Sequence, residues 1–403
     1  MKRKSVTRIV VLVAALALII GMIAGCGKKE EPTPEPAGSA GSSAVVPGDA
    51  DQAAADEVTA MIEAIQVQEW TEGNDERCAA AKAAWDALTD AQKELVDDPG
   101  YFGDDTGDAS LDDPRNQDDI GANEILVVSF GTSFNQSRTM DIGSIEAKIA
   151  EAFPDWSVRR AFTAQIIINH VLARDGEKID NVQQALERAV ANNVQNLVIQ
   201  PTHLMHGAEY DELVGVVEQY KDKFQKVAIA EPLLGEVGAD ATVINADKEA
   251  VAKYVVEATL GEFGGQAQTE ADKTAFVLMG HGTSHVANIT YTQMQAQMDA
   301  LGYKNVFIGT VEGEPEETEC SVVIDKVKEA GYTKVILAPL MVVAGDHANN
   351  DMADPEDPES WYSMFMASGA FEDVTCIIKG LGRIADVEAL YVAHTQAAIA
   401  TLQ

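Results

Sequence analysis

Two histidines and a glutamate carry the plainest chemistry in this chain. His281 lies in Phe276–His285 (FVLMGHGTSH) and His347 in Val342–Met352 (VVAGDHANNDM), each just past an apolar run that reads as a strand. Glu312 follows a third such run, in Val311-Glu312-Gly313-Glu314-Pro315. Imidazole nitrogens with one carboxylate and open positions suit borderline divalent ions such as cobalt, iron or nickel. Neutral imidazole, with an ordinary pKa of about 6.5, also accepts a proton near neutral pH. The expected chemistry is metal ligation by His281, Glu312 and His347, coupled to proton removal.

These residues sit inside a repeat. Ile125–Phe134 (ILVVSFGTSF) is answered by Phe276–His285, and Val198–Glu209 (VIQPTHLMHGAE) by Ile336–His347 (ILAPLMVVAGDH). Across it Phe130 stands opposite His281 and Glu209 opposite His347. The copies share a backbone pattern but differ in chemistry, which assigns the reactive groups to the second half. Other reactive patterns are absent. His281 and His285 enclose no H-E-x-x-H, the glycines of Gly280-His281-Gly282 do not complete G-x-G-x-x-G, and Ser129 and Ser133 lack a G-x-S-x-G elbow.

The elements that must position the site are strands alternating with amphipathic helices from residue 123 onward. Candidate strands are Glu124–Phe130, Ser157–Thr163, Asn196–Pro201 and Lys226–Ala230, then Ala275–Met279, Asn305–Thr310, Lys334–Pro339 and Val374–Lys379. A final helix is expected over Val387–Leu402. Near-continuous apolar strands between helices imply parallel sheets covered on both faces. The expectation is α/β: two flavodoxin-like, doubly wound lobes, 123–240 and 241–403, with the ligand beyond the strands' carboxyl ends.

Upstream, Lys2, Arg3, Lys4 and Arg8 precede the apolar run Ile9–Ile23, and Ile23-Ala24-Gly25-Cys26 resembles a bacterial lipoprotein processing box. Residues 1–25 are thus expected to be a signal peptide, with lipidation at Cys26 and a protein anchored on the outer face of the cell membrane. The run is short for a transmembrane anchor. Residues 26–51 read as a flexible tether, 52–98 as a small helical module, and 99–122 as a solvated acidic linker. Thr89-Asp90-Ala91-Gln92 fits a capping box opening a helix that carries Leu95 and Val96.

The chain of 403 residues has a formal charge of −36, which argues against nucleic-acid binding by its bulk surface. Arg138, Arg159 and Arg160 stand out among only 29 lysines and arginines. They read either as surface salt-bridging or as bidentate partners for the carboxylates of a polyanionic ligand. Cys78, Cys320 and Cys376 show no C-x-x-C spacing, which leaves one disulfide plus a thiol, or three buried thiols. His203 and His206 either line the cleft or serve structure, while His170 and His394 fall on expected helices.

At these residues the chain resembles the anaerobic, early-insertion cobalt chelatases of the cobalamin pathway, the sirohydrochlorin cobaltochelatases or class II chelatases. The motifs are VVSFGTS (127–133), RAFT (160–163), QPTHLMHGAEY (200–210), MGHGTSH (279–285), PLMVVAGDHANNDM (339–352) and SW (360–361). The resemblance implies two lobes holding a tetrapyrrole between them and an ATP-independent lyase. It places the family's active-site histidines on His281 and His347, its acidic metal ligand on Glu312 and a further cleft acid on Glu209. It gives Arg138, Arg159 and Arg160 a role on the carboxylates of sirohydrochlorin. Co²⁺ is the favoured substrate metal, with Fe²⁺ or Ni²⁺ as alternatives and no further cofactor implied. Haem stays open as an extra ligand of His203 and His206, as does a homo-oligomer. The competing reading is a non-catalytic, lipid-anchored tetrapyrrole or metal receptor feeding a transporter.

Overall fold

A computed structural model describes residues 48–402. The expected signal peptide, Cys26 and nearly all of the tether lie outside the described residues. Within them no helix is long and apolar enough to cross a membrane.

Two parallel four-stranded sheets form the body. The first contains β1 (Asn123–Ser129), β2 (Ser157–Phe162), β3 (Asn196–Pro201) and β4 (Lys226–Ile229), in the order β2-β1-β3-β4. The second contains β5 (Thr274–Gly280), β6 (Val306–Thr310), β7 (Lys334–Pro339) and β8 (Asp373–Cys376), in the order β6-β5-β7-β8. The identical order makes the sequence repeat a structural one. In register, Val128 lies beside Pro201 in the first sheet and Met279 beside Pro339 in the second. In each sheet the chain leaves the central strand in one direction and later returns on its other side. The loops after β1 and β3, and after β5 and β7, therefore flank a topological switch point.

Both sheets are apolar on both faces. One core cluster is shared between the lobes, joining Ile125 and Val127 of β1 to Phe276 and Leu278 of β5 through Tyr291, Met294 and Tyr391. Separate clusters cover the outer faces, around Val323, Leu337 and Phe365 in the second lobe and Leu186, Leu197 and Val217 in the first.

The last helix, Ala385–Thr401, departs from the expected division of the chain. It packs on β3, β4 and the helix Gly143–Ala152 of the first lobe. The Tyr391 hydroxyl donates to the Thr202 carbonyl at 3.0 Å, and Thr395 Oγ1 donates to Gln200 Oε1 at 2.7 Å. The helix Gly143–Ala152 covers the β2 side of that face, and β3 and β4 would otherwise lack cover, so a helix that follows the second sheet in sequence completes the first lobe.

The upstream segments are also built into the body. Helices Asp49–Ile65 and Asn74–Ala87 bury Val58, Ile62, Ile65, Cys78 and Trp85 against Ala173 of the helix Gln165–Asp175. The Thr89 capping box is present, but its helix ends at Lys93, so Leu95 and Val96 follow in turns. The acidic segment is not a solvated linker throughout. Its Arg115 carbonyl accepts from the Arg160 amide at 3.4 Å and its Ile120 carbonyl from Ser157 Oγ at 2.6 Å, so it covers the open edge of β2.

Candidate active site

The Gly-Thr-Ser turns place the first reactive group. Gly131 and Gly282 both adopt left-handed backbone, φ +103° and +91°. A Cβ at Gly131 would lie 2.5 Å from the Phe162 ring, and one at Gly282 would lie 2.9 Å from Glu312 Cβ. Glycine in the second turn thus lets Glu312 close up beside His281, and the Glu312 amide donates to the His281 carbonyl at 2.9 Å.

His281 and His347 meet at the switch point of the second sheet, edge to face with ring centroids 4.7 Å apart. Each ring is oriented through Nδ1. His281 Nδ1 lies 2.7 Å from the Gly282 carbonyl, which can only accept, so that nitrogen carries the proton. His347 Nδ1 lies 2.7 Å from Asp351 Oδ2, an arrangement that likewise puts the proton on Nδ1. In both rings the lone pair is left on Nε2, the form needed for ligation or proton acceptance. Burial opposes charging His347, but the bond and charge of Asp351, helped by Asp346 and Glu312, raise its pKa overall.

The loop bearing His347 is fastened to the opposite lobe. Ser137 Oγ donates to the Ala344 carbonyl at 2.6 Å, and the Ala344 amide donates to Asp141 Oδ2 at 2.9 Å. Asp141 is itself paired with Arg383. Sequence reasoning passed over Asp141, Ser137 and Asp351. Only Asp351 left a readable signal, four residues after His347 in a short helical turn. Among the described residues, Asp346, His347 and Asp351 are the one group of three whose ligand atoms all lie within 4.8 Å of one another. Glu312 and His281 adjoin this group from β6 and β5.

Glu209 occupies the matching place in the first lobe, in the first turn of the helix Ala208–Tyr220, with its carboxylate 3.9 Å from His203 Nε2. Phe130, the counterpart of His281, is an exposed aromatic ring at 43%. His285 shares no helix with His281. Its Nε2 reaches Asp211 of the first lobe at 3.4 Å, and its Nδ1 accepts from the Ala287 amide at 3.2 Å. His206 pairs with Glu231 at 2.6 Å, His394 with Asp247 at 3.4 Å, and His170 stacks on Tyr101. Cys78, Cys320 and Cys376 are free thiols.

The three arginines require a correction. Arg138, Arg159 and Arg160 are buried to within 1% exposure in the first lobe and spent on internal carboxylates. Arg160 donates to Asp112 at 2.5 and 2.9 Å and to Glu146 at 2.8 Å from both Nε and Nη2. Arg138 Nε donates to Asp112 at 2.7 Å and Nη2 to Glu177 at 3.2 Å. Arg159 bridges Glu124 and Asp180, at 3.3 and 3.0 Å. Burial resists ionisation of Asp112, yet the hydrogen bonds and charges of Arg160 and Arg138 hold its carboxyl down at about 2. Guanidiniums enclosed and paired in this way are withheld from a ligand; the unpaired Nε of Arg159 is itself buried.

A family profile described as cobalt chelatase (CbiK) matches residues 123–400. The chain belongs to the CbiK cobalt chelatase family. The sirohydrochlorin cobaltochelatase of Salmonella typhimurium is 34% identical over 275 residues, covering 68% of this chain and 96% of that one. Sirohydrochlorin cobaltochelatase CbiKC of Nitratidesulfovibrio vulgaris is 30% identical over 282 residues, covering 69% and 91%. Among solved structures, SirB from Bacillus subtilis with Fe³⁺ aligns with a TM-score of 0.45 at 14% identity, covering 70% of this chain and 97% of SirB. The CbiK match begins at residue 123, so the helical module and acidic segment stand outside it.

Proposed function

We propose that this protein inserts a divalent metal, Co²⁺ in the first place, into sirohydrochlorin without ATP, with His281 and His347 as the reacting pair. The observation that carries this reading is the edge-to-face pair with both Nδ1 atoms anchored and both lone pairs on Nε2. Metal insertion requires water to be stripped from the ion and two pyrrole protons to be removed. One imidazole ligates the incoming metal with Glu312, and the other accepts a proton. Glu209 faces the macrocycle from the first lobe. Family membership and the named relatives support sirohydrochlorin as the acceptor. The basic start, apolar run and Cys26 box support export and lipid anchoring, which mass spectrometry of the membrane fraction would test by detecting a lipidated Cys26.

The deciding experiment mixes purified protein anaerobically with sirohydrochlorin and Co²⁺ and follows the macrocycle's absorption. Turnover above the spontaneous rate, lost in His281→Ala and His347→Ala, is the expected result. Stoichiometric binding without turnover would replace the chelatase with an anchored tetrapyrrole receptor.

A further inference from the structure

We infer that His203 is a positioning residue, which holds Glu209 ready to take a pyrrole proton from the first-lobe face of the macrocycle. The inference rests on the chelatase reading above. His203 follows β3, is buried, and among the described residues has no hydrogen-bond partner at either ring nitrogen. An unpaired imidazole in a protein interior is destabilising, so its presence calls for a use that the resting fold does not satisfy. Its main chain is fixed: the His203 carbonyl accepts from the Leu233 amide at 3.0 Å and from the Tyr391 hydroxyl at 3.5 Å. The ring is therefore presented from a rigid support, and burial, which holds its pKa down at about 4, keeps it neutral.

The carboxylate it faces is Glu209, with Nε2 and Oε2 3.9 Å apart, a small rotation short of a hydrogen bond. Glu209 is about half open, with 52% of its side chain exposed. The protein crowded around it and the charge of Glu212 on the same helix nevertheless push its carboxyl up to about 7. Tyr291 of the second lobe, buried beside the Gly282 turn, is within reach of the Glu209 charge, and Asp211 on the same helix is engaged by His285. No cation of the first lobe's arginine cluster is available to it.

In this arrangement the Glu209 carboxylate takes a pyrrole N–H proton and becomes a carboxylic acid. The electron pair stays on the pyrrole nitrogen, which binds the metal. The proton then leaves to water through the exposed side of the carboxyl. A neutral His203 donating Nε2–H to the carboxylate favours its charged form and so resets the acceptor for the next turnover.

The test is the pH dependence of Co²⁺ insertion into sirohydrochlorin by the full chain. Wild type should show an acid limb that Glu209→Gln removes. His203→Ala should move that limb alkaline by about one pH unit and lower kcat about 10-fold at neutral pH, with KM for the macrocycle unchanged. His203→Asn, which retains a side-chain donor, should restore most of the limb. The double variant should behave as Glu209→Gln alone. A folded His203→Ala variant with the wild-type limb, or with an equal loss at every pH, would overturn the inference while leaving the chelatase intact. Absence of wild-type turnover would remove the chelatase reading and this inference together.

Discussion

The two lobes share strand order, turn geometry and glycine placement, yet equivalent positions do opposite things. At the end of the central strand the first lobe carries Phe130 and the second His281. The left-handed glycine of the turn then admits a side chain from the end of the next strand, the Phe162 ring in the first lobe and the Cβ of Glu312 beside Thr310 in the second. The first lobe buries its charge on β2, where Arg159 and Arg160 are neutralised inside the protein, whereas β6 has Phe307 and Ile308 in its interior. One backbone plan therefore supports paired histidines in one copy and a charge-stiffened support in the other. What differs is which side chain meets the left-handed turn.

The sharpest way to break this division is to remove the histidine pair proposed to react. His281→Ala or His347→Ala should lower metal insertion roughly 10²–10⁴-fold with folding unchanged, as read by macrocycle absorption and far-UV circular dichroism. Installing histidine at Phe130 should not rescue either variant, because the first-lobe turn holds Phe162 where the second holds Glu312. Arg160→Met attacks the support instead. It leaves Asp112 and Glu146 buried beside a missing guanidinium and should cost about 3–5 kcal/mol in urea unfolding. Asp351→Asn should lower apparent metal affinity roughly 10–100-fold, since the partner that fixes the His347 tautomer is weakened. The Asp112 carboxyl gives a smaller, pH-linked effect. Its folded pKa of about 2 lies below its ordinary value of 3.8, so its contribution is fully present above that ordinary value and lost as pH falls toward about 2. Asp112→Asn should therefore flatten the acid arm of the stability curve by about 2 kcal/mol. Tyr391→Phe should cost about 1 kcal/mol in the same assay, through the lost bond to Thr202.

Much of this was legible in the chain because the signals are local. Strand ends follow from apolar runs stopped by glycine or polar turns, and the Thr89 capping box declares itself within four residues. His281, Glu312 and His347 stand just beyond strand ends, where a doubly wound sheet gathers its ligands. The failures are non-local. Arg159-Arg160 reads the same whether its partners are a ligand or Asp112 and Glu146, and only the fold brings Asp112 back from the acidic segment. The last helix carries apolar residues all round rather than on one stripe, so nothing in its residues says that Val387, Tyr391 and Ala398 are buried or which sheet they cover. His203 reads in the sequence like His206, and only the fold shows that its ring nitrogens have no hydrogen-bond partner among the described residues.

The returning helix Ala385–Thr401 has a consequence for how the molecule is made. Until residues 385–401 have left the ribosome, β3 and β4 lack their cover on that face, with Val198 open, and the helix Gly143–Ala152 lacks its packing partner. The first lobe therefore cannot mature as an autonomous intermediate while the second is being synthesised, and an expressed N-terminal half should be aggregation-prone. The ancestral-looking symmetry of the fold is not a seam along which it can be cut. Its two copies have become a single cooperative unit, closed by a helix made after both sheets.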